Sequence, residues 1–186
     1  MNTFYSQNEL KTIGLKKFGD NVLISRNVIF YSPENILLKN HIRIDDYCII
    51  SAKDGFCEIG NFVHLGAFCY IQASGKCEIM DFSGLSQGCK IYSKSSDYTN
   101  ELTNPMIPKQ FSNSVIGKVT LEKNSIIGAN TVILPGVKIG EGVAVGANSL
   151  VLKSLIDKEW SLYFGSPAKF VKKRNKENIL EQKKKC

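Results

Sequence analysis

The chain has 186 residues, 43% of them hydrophobic, with 24 Lys or Arg against 17 Asp or Glu, a net charge of +7 and six cysteines. That length suits one domain with short flanks. No apolar run is long enough to cross a bilayer and no signal peptide opens the chain, so the six cysteines predict a cytoplasmic protein with reduced thiols and no membrane span.

In chain order, the first predicted element is a short helix. Ser6-Gln7-Asn8-Glu9 has the form of a capping box, in which serine and glutamate each accept a hydrogen bond from the other's backbone N–H. The helix is expected to run through Leu10, Ile13 and Leu15, making residues 1–17 a cap over the open end of the next element.

From Phe18 the chain falls into six-residue units grouped in threes. They read FGDNVL, ISRNVI and FYSPENIL from Phe18; LKNHIR, IDDYCI and ISAKDGFCE from Leu38; IGNFVH, LGAFCY and IQASGKCE from Ile59; IMDFSG, LSQGCK and IYSKSS from Ile79. The groups start 20, 21 and 20 residues apart, with the surplus over 18 always on the third unit. A six-residue period fits neither the 3.6 repeat of a helix nor the alternation of a long strand. It fits a short strand and a tight turn, with positions one and five inward and three units per triangular coil, so that stacked coils bury what one coil cannot.

This register places Cys48, Cys69 and Cys89 at position five of successive middle units, with Cys57 and Cys77 just before a coil closes. They read as a column of small core side chains, and without any CxxC pair no metal is expected. The fourth coil is predicted to throw out an excursion, residues 96–114, which contains Asn104-Pro105 and Ile107-Pro108. A long loop in a tight solenoid is usually functional.

Seven further units follow from Val115 to Ile156: VIGKVT, LEKNSI, IGANTV, ILPGVK, IGEGVA, VGANSL and VLKSLI. Asn124, Asn130, Gly136, Gly142 and Asn148 at position four suit positive φ at the corners. The solenoid thus spans 18–156. The remaining segment, 157–186, is expected to be largely helical, with helical patterning from Lys176 to Lys185. From Lys169 to Cys186 it holds eight Lys or Arg against Glu177 and Glu181. Without interleaved aromatics or a nucleic-acid motif, this basic tail points to a phosphorylated small ligand or to simple solvation, and no nucleic-acid partner is expected.

The repeats, the excursion and the ending from Gly165-Ser166-Pro167-Ala168-Lys169 to Arg174 resemble the hexapeptide-repeat acyltransferases. The resemblance implies an all-β solenoid, a left-handed parallel β-helix with short N- and C-terminal helices. The stretches Arg43 to Cys48, Asp81 to Ser86, Ser96 to Tyr98 and Leu102 to Pro105 are more narrowly similar to N-acetyltransferases of nucleotide-linked amino-deoxy sugars. That branch implies acetyl-CoA as cosubstrate, transfer to the amino group of a sugar such as dTDP-4-amino-4,6-dideoxyglucose, a role in surface polysaccharide, and a homotrimer with sites between neighbouring prisms. A sugar O-acetyltransferase and a noncatalytic scaffold are the alternatives. A metal-dependent anhydrase on this fold needs three histidines, and the chain has two.

The same resemblance assigns roles. The amides of Ala129, Gly146 and Ala147 match positions contacting the pantetheine arm, where small residues permit close backbone approach. Lys153, Lys169 and Arg174 match positions suited to the phosphates of the cofactor. His64, expected at a corner and pointing outward, is the candidate base, while His41 shares a slot with Phe62 and Phe82 and reads as packing. Asp97 would orient or deprotonate an ammonium, and Tyr98 and Asn104 would contact the sugar nucleotide. His64 and the loop are predicted on different edges, meeting across a subunit interface.

Overall fold

A computed structural model describes residues 3–100, 102–104 and 106–184. Pro105, Lys185 and Cys186, named above, lie outside the described residues. The chain winds as a left-handed parallel β-helix of three stacked sheets, eight-, six- and five-stranded. The first sheet carries Val22–Ile24, Ile42–Ile44, Val63–Leu65, Gly84–Leu85, Ile126–Ile127, Ala144–Val145, Ser161–Phe164 and the antiparallel Lys169–Lys173. Register follows the coil length, with Ile42 beside Val63 and Cys57 beside Cys77.

Positions one and five line the core as expected, and Ile44, Leu65, Ile127 and Ile139 are fully buried. The cysteine column is buried as free thiols. Cys48 donates to the Gly66 carbonyl (3.1 Å), Cys69 to Ser86 (3.2 Å) and Cys89 to Gly128 (3.1 Å), so these thiols serve both packing and corner satisfaction.

The corners are ladders of positive φ. One runs through Asn21, His41, Phe62, Phe82, Asn124, Gly142 and Trp160. A second runs through Tyr47, Phe68, Gly88, Asn130 and Asn148. Asparagine and glycine were expected, but the early coils place aromatic rings there. A left-handed residue with a side chain costs roughly 1–2 kcal/mol, and stacked rings return about 1 kcal/mol per pair. The stacks are present: His41 on Phe62 at 4.5 Å, Phe62 on Phe82 at 4.7 Å, Tyr47 on Phe68 at 5.2 Å. His41 is thus a packing residue.

Four expectations need correction. Helix α1 (Gln7–Leu10) is a single turn; its capping box forms and buries Leu10, but Ile13 and Leu15 pack on the core from the turn that follows. Val115 does not open a core unit: Ser114–Ile116 pairs antiparallel with Lys94–Ser96, and Val115 is 54% exposed. This two-stranded ribbon carries the loop 97–113 clear of the prism, and stacking resumes where Val119 pairs with Cys77. Beyond Ile156 the chain adds another coil rather than a long helix. Ser161–Phe164 pairs with Ala144–Val145, and Lys169–Lys173 returns against it before α2 (Lys176–Lys183). The register was hidden because Asp157, exposed, stands where a unit opens on an aliphatic residue; Trp160 takes the corner, its ring filling the space a Cβ on Gly142 would occupy. Finally, His64 is the middle residue of Val63–Leu65, on a flat face; the corner lies two residues earlier, at Phe62.

Candidate active site

Outward residues of the first face stack in register: Arg43, His64, Gly84 and Ile126. Glycine between a histidine and an isoleucine leaves a notch, which opens into a groove of about 510 Å³. Phe82, Ser86 and Gln87 line it, with Arg174 and Lys183 from the C-terminal segment.

His64 Nε2 lies 2.7 Å from Asp45 Oδ2, and Asp45 Oδ1 accepts from Arg43 Nε at 2.7 Å. Partial burial pushes the Asp45 carboxyl up, but hydrogen bonds from Arg43 and His64 outweigh it and hold Asp45 below its usual range. An ionised carboxylate only accepts hydrogen bonds, so Nε2 carries the proton of a neutral ring and Nδ1 keeps its lone pair. That is the tautomer a proton acceptor needs.

Asp97 belongs to a different assembly. Its Oδ1 accepts from the Thr99 amide (2.9 Å), the Thr99 hydroxyl (2.7 Å) and the Asn100 amide (3.3 Å), and its Oδ2 from the Asn100 side chain (3.0 Å). Hydrogen bonds from Asn100 and then Thr99 hold its carboxyl down at about 2. So poised, it is a fixed negative charge and a poor base at neutral pH. Tyr98 is 80% exposed, and Asn104 accepts from the Met106 amide at 2.9 Å. None of the three lines the His64 groove.

At the corner after the first face, Ala129 and Ala147 occupy equivalent places in successive coils, and their amides have no partner among the described residues. Gly146 differs. Its amide donates to the Tyr163 carbonyl at 2.8 Å, and a Cβ there would fall 2.0 Å from Phe164. The glycine therefore makes room for the next coil, and its amide is already spent within the helix. Lys153 and Lys169 line a common cleft of about 210 Å³. Arg174, expected beside them, turns instead to the first-face groove, donating to the carbonyls of Gly142 and Asn124.

Comparison with known proteins bears on this geometry. Residues 118–153 match the family model "Bacterial transferase hexapeptide (six repeats)". A dTDP-4-amino-4,6-dideoxy-D-glucose acyltransferase of Escherichia coli is 36% identical over 93% of this chain and 89% of its own. This chain belongs to the hexapeptide-repeat acyltransferases. AntD, an N-acyltransferase from Bacillus cereus, superimposes with a TM-score of 0.93 at 43% identity in its complex with dTDP and 3-hydroxybutyryl-CoA, covering 100% of this chain and 96% of that one. A variant of it with dTDP-4-amino-4,6-dideoxyglucose and coenzyme A is 41% identical, with a TM-score of 0.92 over 99% and 97%. By contrast, a probable macrolide acetyltransferase of Lysinibacillus sphaericus is 43% identical over 35% of each chain.

For an acyltransferase, the structure gathers His64 and Arg174 into one groove and Lys153 with Lys169 into another, and leaves the loop residues apart. Sequence reasoning missed Asp45, Gly84, Ser86, Gln87 and Lys183. Asp45, Gly84 and Lys183 had a signal: Gly84 follows Arg43 and His64 at position six, Asp45 follows its arginine by two, and Lys183 lies in the basic tail. Ser86 and Gln87 look like ordinary corner residues.

Proposed function

We propose that this enzyme transfers an acyl group from an acyl-coenzyme A to the amino group of a dTDP-linked amino-deoxy sugar. The observation that carries this reading is the length of the likeness. A probable macrolide acetyltransferase matches only 35% of this chain, whereas AntD and the Escherichia coli acyltransferase match 100% and 93% of it.

The neutral amine attacks the thioester carbonyl, the C–S bond breaks, and coenzyme A leaves as the thiolate. The displaced ammonium proton passes to His64 Nδ1, whose orientation Asp45 fixes through Nε2. Asp97, held ionised, steers the substrate ammonium, with Tyr98 and Asn104 beside the sugar nucleotide. The amides of Ala129 and Ala147 bind the pantetheine arm, and Lys153 with Lys169 takes the cofactor phosphates.

Tyr31, Tyr47 and Phe68, each more than half exposed, are surface for neighbouring subunits. We read the enzyme as a homotrimer in which the loop of one prism reaches the His64 groove of the next. Its free thiols suit the cytoplasm, and the product fits surface-polysaccharide assembly. The test is a panel of nucleotide-linked amino sugars and their hydroxyl counterparts with acetyl-CoA and 3-hydroxybutyryl-CoA, read by thiol release. Turnover with amine acceptors is expected. Turnover with hydroxyl acceptors alone would make it an O-acyltransferase.

A further inference from the structure

We propose that Arg174 and Lys183 form a diphosphate clamp, making the C-terminal strap part of the acceptor site; this rests on the nucleotide-sugar reading above. The strap, Arg174 followed by α2, lies along one wall of the groove that holds His64. It is tied down at three points. The Arg174 guanidinium donates to the carbonyls of Gly142 and Asn124, Lys183 Nζ donates to Asn124 Oδ1 at 3.1 Å, and Lys183 Nζ sits 3.8 Å above the Phe82 ring.

All of these partners are neutral. Among the described residues neither cation forms an ion pair, although Lys39, Lys118 and Lys138 pair with Glu58, Glu78 and Glu122. Both side chains are half-buried and border the same cavity. Two partly desolvated cations without a counter-ion beside a proton acceptor await an anion, and a charge-assisted bond there is stronger than one to a carbonyl.

Reach decides which anion. In a nucleotide sugar the diphosphate joins the anomeric carbon, one ring away from the reacting amine. In an acyl-CoA the whole pantetheine arm separates the phosphates from the thioester. Phosphates held in the groove that contains His64 therefore belong to the acceptor. The cofactor's phosphates fit Lys153 and Lys169 in their separate cleft.

The experiment compares Lys183→Gln with Lys183→Arg in the full-length enzyme. Calorimetry measures dTDP and thymidine binding, and steady-state kinetics measures KM for the sugar nucleotide and for acyl-CoA. Lys183→Gln should weaken dTDP binding and raise the sugar-nucleotide KM by about tenfold, leave thymidine affinity and acyl-CoA KM unchanged, and be largely rescued in Lys183→Arg. A rise in acyl-CoA KM with dTDP affinity intact would move the clamp to the cofactor and overturn the proposal. Unchanged dTDP affinity and KM would also overturn it, leaving the strap structural. Failure of the unsubstituted enzyme to bind dTDP would instead remove the nucleotide-sugar reading, and the clamp with it.

Discussion

Three side chains are linked beside the groove: Arg43 donates to Asp45, Asp45 meets His64 Nε2, and His64 Nδ1 has no partner among the described residues. Replacing His64 with Ala should lower kcat by about 10²-fold or more, the usual range for a general base. Asp45→Asn should lose part of that in kcat with little change in KM, because an amide no longer selects one tautomer. Thiol-release kinetics on both variants checks this. The same carboxylate gives a pH signature. Its folded-state value lies below the unfolded one, so its stabilising share is complete above about pH 4 and disappears as pH falls through the lower folded value. Melting temperatures between about pH 6 and pH 3 should therefore fall less steeply for Asp45→Asn than for the parent. His64 was legible because only two histidines exist and His41 shares a slot with phenylalanines. Its partner was legible only as a neighbour of Arg43, because the contact between adjacent coils depends on which outward residues stack, and the expected register set His64 on a corner.

The elements obey their repeat more strictly than any single position suggests. Position five is buried in the regular six-residue units from Val22 to Leu155, save at Ser95 where the loop departs, and that rule places Cys48, Cys69 and Cys89 in the core. The five described thiols should resist aqueous thiol reagents in the native enzyme and react on unfolding, as a labelling titration with and without denaturant would show. Gly146→Ala drives a methyl toward Phe164, and overpacking of this kind costs about 1–3 kcal/mol. A lower melting temperature with the acyl-CoA KM unchanged is the expected result, since the glycine serves the next coil. Sequence pattern misassigned the unit at Val115 for a physical reason. Alternation within a two-stranded ribbon and the start of a hexapeptide look alike over six residues, and only strand pairing separates them. The last coil was illegible because Asp157 stands where the pattern expects an aliphatic residue.

At the scale of the molecule, one prism holds His64 without the loop charge beside it, since Asp97 does not line the His64 groove. If neighbouring prisms complete each other's sites, an inactive His64→Ala enzyme and an inactive Asp97→Ala enzyme should regain activity when subunits are exchanged. Absence of recovery under conditions where exchange is verified would return each site to a single chain. The solenoid was readable almost whole, because burying a continuous column imposes a period on the sequence. Assembly leaves no comparable period. The ribbon of Lys94–Ser96 and Ser114–Ile116 has one more implication. It closes its own hydrogen bonds before the loop departs, and the coils above and below meet as though nothing lay between them. The loop is thus a separable cassette: its length or sequence can change while the prism beneath keeps its register.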